Sequence, residues 1–237
     1  MDRLTVEKKK SFRRRLLRWF EENRRNFPWR ESGDPYAVLM AEMMLRRTKA
    51  SQAAPVYERF IREHPAPEDL YQADPAKLHA QLASLGLEWR IAQFEQLAHD
   101  LVEQFDGQVP ESREELMSLT GVSDYLADAV LVFAFGHPRA VIDANVARVL
   151  ARYFGLREHA EARRDRQIRE VADQLLDRQR PRDYNFALLD LAAGVCTSQR
   201  PKHELCPLRR TCFRAKAERV LGSQAPAREG PSGPSPR

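Results

Sequence analysis

Apolar residues recur along the chain at the three- to four-residue spacing of amphipathic helices, and no segment alternates apolar and polar residues as a strand would. The first apolar stripe consists of Phe12, Leu16, Leu17 and Phe20, and "FPWR" at 27–30 ends that helix. Further helices are predicted at about 88–105, 112–119, 124–135, 144–154, 164–178 and 182–195. The pattern therefore predicts an all-α protein.

Two helices carry the same start signal, an aspartate followed by a proline. Asp34 and Pro35 precede "YAVLMAEMMLRR", and Asp74 and Pro75 precede "AKLHAQLASLG". An Asp side chain accepts hydrogen bonds from the free amides of the first turn, and Pro fits the first helical position. Gly86 is expected to cap the end of the second helix.

Composition is that of a globular protein with a basic surface. Hydrophobic residues make up 43% of the chain and charged residues 31%, with a formal net charge of +5. A positive balance favours a polyanionic partner. The first residues lack a secretory signal, and no apolar run reaches the length of a membrane span, so we expect a cytoplasmic protein without membrane contact.

All three cysteines lie in the short stretch "CTSQRPKHELCPLRRTC". With one histidine they give the spacing C-x6-H-x2-C-x5-C over Cys196, His203, Cys206 and Cys212. In a reducing compartment clustered cysteines indicate a metal rather than disulfides. Three thiolates and an imidazole suit either structural zinc or an iron–sulfur centre with one His ligand, and a site without metal is the third possibility.

Two carboxylates are candidates for chemistry, and each has a simpler interpretation. Glu42 lies within "VLMAEMML", so its carboxyl is expected to be desolvated with a raised pKa, unless it is a solvated helix residue. Asp143 stands at the head of the helix predicted at 144–154, where it could act in a site or only cap the helix. Gly121 is expected in a tight turn.

The motifs occur in the order of one enzyme superfamily. The segment 119–155, with "LTGVSDYLADAV" and "VIDANVARVL", resembles the helix-hairpin-helix element of DNA glycosylases of the endonuclease III/MutY superfamily. "FPWR…DPYAVLMAEMMLRRT" resembles its MutY branch, and the "LRRT" variant resembles the thymine-DNA glycosylases of that branch. The resemblance covers roughly residues 10–215.

The resemblance implies a two-domain fold with the site in the cleft between the domains. A six-helix domain with the hairpin would comprise 35–142, and a helical domain bearing a metal cluster would comprise 143–221. The helix within 1–34 would pack with the cluster domain. Residues 222–237 are rich in Pro, Gly and Ser and are predicted to form a disordered tail.

The same resemblance implies a catalytic set for a flipped nucleotide. Asp143 would stabilise the positive charge that develops on the sugar, and Glu42 would assist the leaving base or activate water. Tyr125 stands where bifunctional members have a Schiff-base lysine, so a monofunctional enzyme is expected. The cysteine loop would hold a [4Fe–4S] cluster with Cys3His ligation, with structural zinc as the alternative.

Duplex DNA with a mismatched or damaged base is the implied partner of a monomeric enzyme acting on the nucleoid. The hairpin would hold a phosphate, although Thr120 and Ser123 replace the usual Pro and second Gly. Arg46 or Arg47 would fill the gap that the flipped base leaves, with Arg47 nearer the intercalating position. The full set of expected DNA contacts is Arg46, Arg47, Thr48, Arg90, Gly121, Ser123, Arg200 and Lys202.

The expected substrate is thymine or uracil opposite guanine. About 25 residues follow Cys212, fewer than the extra domain with which MutY-type enzymes recognise 8-oxoguanine. A MutY-like adenine glycosylase and a catalytically weak, lesion-scanning DNA-binding protein are the alternatives. An enzyme that removes a modified base in restriction or phage defence would differ only in its pocket chemistry.

Overall fold

The computed structural model describes residues 4–86, 91–159 and 161–223, and all regular structure within them is helical. The α-helices are α1 (Val6–Asn23), α2 (Pro35–Leu45), α3 (Ala50–Glu63), α4 (Pro67–Tyr71), α5 (Pro75–Leu82), α6 (Ile91–Phe105), α7 (Arg113–Ser118), α8 (Asp124–Phe133), α9 (Ala144–Phe154), α10 (Arg166–Leu175), α11 (Pro181–Gly194) and α12 (Phe213–Ser223). The all-α prediction is confirmed.

The start signals act as predicted. The Asp34 side chain accepts from the amides of Tyr36 (3.0 Å) and Ala37 (3.4 Å). The Asp74 side chain accepts from the amide of Lys77 at 2.9 Å. Gly86 ends the 3₁₀ turn that follows α5, and its positive φ of 67° is the conformation for which glycine is favoured.

Three helices were not predicted from the pattern: α3, α4 and α12. Helix α3 buries Ala53, Val56, Tyr57 and Phe60, a regular helical stripe, but Pro55 lies within it and removes one backbone donor. Helix α12 extends to Ser223, into the first residues of the predicted tail. The rest of that tail, 224–237, lies outside the described residues.

One continuous core holds the helices together. Helix α1 packs its apolar stripe against α10 and α11, so the beginning of the chain lies with its C-terminal half. Helix α2 packs against α3 and α8, and α9 packs against α11 and α12. None of the helices in the described ranges is both long and apolar enough to cross a membrane.

Helix α2 lies deep in this core. Every residue from Tyr36 to Met44 is buried, including the one charged residue among them, Glu42. A helix that is apolar on all sides is surrounded by other elements, and here those elements leave a gap with several polar lining residues. The gap lies beside Glu42, where α2 and α8 approach α9 and α11.

Candidate active site

A cavity of about 240 Å³ lies at this gap and is lined by Glu42 of α2, Tyr125 of α8 and Asp143 at the start of α9. These are the three residues that the sequence predicts to be catalytic. They are far apart along the chain, and the helix packing brings them together. A concave site with converging polar groups is the usual form of an active site.

Glu42 is a carboxyl group in an apolar environment. Its residue is 5% exposed, which excludes the solvated helix position. Burial raises the pKa of Glu42 to about 7. The hydrogen bond from Tyr125 and the charge of Arg30 oppose this rise, and the negative charge of Asp143 adds to it. The group is therefore divided between its acid and carboxylate forms near neutral pH, which suits proton transfer.

Asp143 both caps α9 and faces the cavity, so its two interpretations are compatible. One carboxylate oxygen accepts from the amide of Val146 at 2.7 Å, and the other accepts from Nδ2 of Asn145 at 2.8 Å. Asn145 is in turn held by Arg148, whose Nη1 donates to its Oδ1 at 2.8 Å. The carboxylate is thus fixed in direction. Asn145 was not predicted from the sequence, although it lies two residues after Asp143 in a D-x-N spacing.

Tyr125 contributes a neutral hydroxyl. Burial, followed by the negative charges of Glu42 and Asp143, holds the pKa of this phenol well above its usual value. Its hydroxyl is hydrogen bonded to Glu42, so it positions that carboxyl. Among the residues that the structure describes, no lysine lines the cavity.

Aromatic faces form much of the remaining wall. Phe27 stacks on Trp29 with ring centroids 4.9 Å apart and an interplanar angle of 6°. Phe186 of α11 also lines the cavity, and its ring stacks on Phe133 with centroids 4.1 Å apart, while the Arg30 guanidinium lies 4.3 Å from its centre. Flat apolar surfaces beside polar groups suit a planar base.

A buried ion pair fixes the segment that carries Phe27 and Trp29. Asp190 of α11 is 2% exposed and accepts two 2.8 Å hydrogen bonds from the Arg30 guanidinium. It also accepts from the amide of Arg25 at 3.0 Å and from the Arg25 side chain. Burial would raise the pKa of Asp190, but the two arginines hold it below its usual value. We did not anticipate this clamp, which joins residues 160 positions apart.

The predicted hairpin turn lies between α7 and α8. Gly121 has φ +80°, and a Cβ there would come within 3.0 Å of the Met43 side chain. Ser123 has φ −104°, so the position does not need glycine, and its Oγ accepts from the amide of Leu126 as the N-cap of α8. Thr120 stands where the usual hairpin has proline. Its amide, which proline would lack, donates to the buried Asp100 carboxylate at 2.8 Å and so fixes the turn.

The turn leaves donors open at a helix N-terminus. Within the described part of the chain, the amides of Gly121 and Ser123 donate to no protein group. Open amides next to the positive end of a helix dipole form an anion site. The geometry therefore suits the phosphate contact predicted for this turn.

The loop after α2 separates its two arginines. Arg47 is exposed and has φ +59°, a strained conformation for a non-glycine residue. The Nη1 of Arg46 instead donates to Oε1 of Gln93 (2.9 Å) and to the carbonyl of Gly121 (3.1 Å). Thr48 lines the cavity, and its hydroxyl donates to the carbonyl of Leu85 at 3.3 Å.

Three predicted DNA contacts lie outside this loop and turn. Arg200 and Lys202 are exposed on the loop that carries the cysteines. Arg90 lies outside the described residues. The structure thus brings Thr48 of the arginine loop and Tyr125, which follows the hairpin turn, to the cavity, whereas the cysteine loop does not line it.

The four predicted metal ligands line one small cavity next to α9 and α12. Arg152 holds this loop by donating to the carbonyls of Thr197 (2.6 Å) and Ser198 (2.7 Å). The Nε2 of His203 lies 2.7 Å from Oε2 of Glu218. Among the described residues, no three His, Cys, Asp or Glu side chains converge closely enough to hold a single metal ion. Three thiols and an imidazole around one space nevertheless form a donor set suited to a cluster.

Residues 40–178 match the sequence pattern of the HhH-GPD superfamily of base excision DNA repair proteins. The chain belongs to this superfamily. Its matched region contains Glu42, the hairpin turn and Asp143, so the family match and the cavity concern the same residues. The predicted family is confirmed.

Individual relatives agree with this assignment. The chain is 38% identical to a thymine/uracil-DNA glycosylase of Pyrobaculum aerophilum over 88% of its length and 94% of that protein. It is 33% identical to the human adenine DNA glycosylase, with 90% of this chain but 41% of that protein covered. The solved structure of a thermostable thymine-DNA glycosylase superposes with a TM-score of 0.83 at 32% identity, over 90% of this chain and 99% of that one. These matches confirm the predicted class of activity, DNA N-glycosylase.

Proposed function

We propose that this protein is a monofunctional DNA glycosylase that removes thymine or uracil opposite guanine from duplex DNA. The observation that carries the proposal is the pair of carboxyl groups, Glu42 and Asp143, facing one cavity with aromatic walls. The names of similar proteins support the substrate, since a thymine/uracil-DNA glycosylase aligns along nearly its whole length.

In this mechanism the target nucleotide leaves the helix and its base enters the cavity beside Glu42 and Asp143. The bond between C1′ and the base breaks, the base takes up a proton, and water adds to C1′. The acid form of Glu42 can give the proton to the departing base, and its carboxylate form can take one from water. The fixed Asp143 carboxylate stabilises the positive charge on the sugar.

The duplex itself is held by the turn and by exposed cations. Amides of Gly121 and Ser123 bind one phosphate, and Arg47 occupies the gap left by the flipped nucleotide. Arg200 and Lys202 add contacts to the backbone, as neutralisation of phosphates does in DNA complexes generally. Thr48 and Arg90 complete the set that we propose to contact DNA. The enzyme would act as a monomer on the nucleoid.

A panel of duplexes tests the substrate directly. Single-turnover reactions on T:G, U:G, A:G and A:8-oxoguanine pairs, followed by alkali, would report the base removed. We expect cleavage at T:G and U:G. Cleavage confined to A:G and A:8-oxoguanine would establish the adenine glycosylase alternative, which the alignment with the human enzyme supports. Binding without cleavage of any duplex would establish the lesion-scanning alternative.

We predict that the enzyme forms no covalent link with DNA. Tyr125 carries a phenol, which cannot form an imine, so borohydride should trap no adduct of the wild type. The Tyr125→Lys variant places an amine at the cavity and should yield a trapped adduct. A trapped wild-type adduct would contradict the monofunctional assignment.

We also propose that Cys196, His203, Cys206 and Cys212 hold a [4Fe–4S] cluster, with structural zinc as the alternative. The support is their spacing and their position around one cavity. The hydrogen bond between His203 and Glu218 resembles the carboxylate partners that orient histidine ligands in metal sites. When bound, the group would serve to order the loop that carries Arg200 and Lys202.

Protein purified without oxygen is therefore expected to be brown and to contain iron. Because thiolates are the commoner cluster ligands, His203→Cys should keep or raise the iron content. His137→Cys is the matched control, since His137 also pairs with a glutamate, Glu111, at 2.7 Å. Elemental analysis that found stoichiometric zinc and no iron would reject the cluster.

A further inference from the structure

Arg46 lies where α2 ends and the loop with Arg47 begins. Its side chain runs back into the protein, where its Nη1 meets Oε1 of Gln93 on α6 and the carbonyl of Gly121 in the hairpin turn. The side chain of Met43 lies beside the same nitrogen at 3.9 Å. One guanidinium therefore joins α2, α6 and the turn.

The turn is held from both sides by charged groups. Asp100 accepts the amide of Thr120 at 2.8 Å, and Gln96 donates to that carboxylate at 3.0 Å. Arg46 donates to the carbonyl of Gly121. These two bonds hold the Leu119–Thr120 and Gly121–Val122 peptides, and the Thr120–Gly121 peptide between them carries the open amide of Gly121.

The backbone of Arg46 connects the end of α2 to Arg47. The residue caps α2 with extended φ and ψ of −63° and 111°, and the strained Arg47 follows it directly. Movement of the Arg46 side chain would therefore shift both the turn and the loop. A strained residue persists only where its surroundings hold it, and Arg46 is its immediate neighbour.

We propose that Arg46 is a positioning residue that sets the distance between the phosphate-binding turn and the inserted Arg47, and that it does not itself contact DNA. The resemblance implied that either arginine could fill the gap, with Arg47 nearer the intercalating position, and the proposal separates their roles. This inference rests on the proposed function only in requiring that the turn and Arg47 bind duplex DNA. It does not depend on which base is removed.

The test is binding to a duplex with a stable abasic analogue opposite guanine, measured over a range of salt concentrations. Arg46→Met keeps the apolar stem and removes the donors, and it should weaken binding roughly tenfold. Gln93→Met removes one acceptor of Arg46 and should weaken binding about threefold. The double variant should bind within about twofold of Arg46→Met, because both changes break one network. The slope of log affinity against log salt should stay at the wild-type value.

A direct DNA contact predicts different results. Loss of a phosphate contact would reduce the slope by about 0.9, and the effects of Arg46→Met and Gln93→Met would multiply. Either outcome would overturn the proposal, as would unchanged affinity with only a lower melting temperature. Arg200→Met is the control for a direct contact to the DNA backbone: it should reduce the slope by about 0.9, and its effect should multiply with that of Gln93→Met. If Arg46→Met does not fold, Arg46→Lys and Gln93→Met provide the same comparison. Failure of all duplexes in the base-release panel would reject the proposed function and leave this measurement interpretable.

Discussion

Asp143→Asn is expected to reduce the single-turnover rate of base release by about 10³-fold or more while leaving duplex affinity within a few-fold of wild type. The substitution removes the negative charge that faces the sugar as positive charge develops there. Asparagine caps helices as well as aspartate does, so the hydrogen bond to Val146 can persist and α9 should stay intact. The rate is measured on the best substrate of the panel, and affinity on the abasic analogue.

Asp165→Asn provides a matched control for this change. Asp165 is also an N-cap and accepts from the amides of Gln167 and Ile168, but it lies at the start of α10, outside the cavity. Its variant should retain the wild-type rate. If Asp143→Asn also retained that rate, the aspartate would be only a helix cap and the mechanism would be wrong.

Glu42→Gln is expected to slow base release by about 10² to 10³-fold, since the amide can neither give nor take the proton. The wild-type rate should change with pH around an apparent pKa near 7, the value to which burial raises the pKa of Glu42. A rate that falls above pH 7 would identify Glu42 as the general acid, and a rate that falls below pH 7 would identify it as the general base. Persistence of the inflection in Glu42→Gln would assign it to another group.

The same pKa predicts how stability depends on pH. In the unfolded chain Glu42 loses its proton near pH 4.5, whereas in the folded protein it keeps the proton up to about pH 7. Its contribution to the free energy of unfolding is therefore greatest below pH 4.5 and falls as pH rises to 7. Glu42→Gln does not titrate and lacks this loss. Between pH 4.5 and pH 8 its free energy of unfolding should therefore rise relative to that of the wild type by up to about 3 kcal/mol. Urea unfolding at both pH values measures the difference.

Local signals were sufficient for most of the fold. The Asp–Pro starts at Asp34 and Asp74 specify helix ends through bonds within four residues, so the sequence alone predicts them. Helix α3 escaped prediction although Val56, Tyr57 and Phe60 form a regular stripe, since Pro55 disfavours a helix in the local pattern, yet α3 runs unbroken through it. Tertiary packing outweighs the cost of that proline, and packing is not visible in a local pattern.

The site was predictable where one residue and its immediate neighbours determined the environment. The apolar run around Glu42 predicts its burial correctly, and the position of Asp143 predicts its cap. Whether serine can replace the usual glycine at position 123 depends on the backbone there, and only the structure shows that the φ of Ser123 is negative. The different contacts of Arg46 and Arg47 depend on Gln93 and Gly121, which are distant along the chain, so sequence order cannot separate them.

The Asp190 clamp has a consequence for how the enzyme selects its target. By tying Arg25 and Arg30 to α11, it holds the segment with Phe27 and Trp29 against the helix that carries Phe186. Under the proposed function, a cavity held in this way would adapt little to the entering base, so the distortion needed for entry would fall on the duplex. Pairs that open readily, such as mismatches next to weakly stacked neighbours, then reach the cavity more often than sound pairs do. Under the proposed function, part of the recognition would therefore depend on how easily the base pair opens, before the enzyme contacts the base itself.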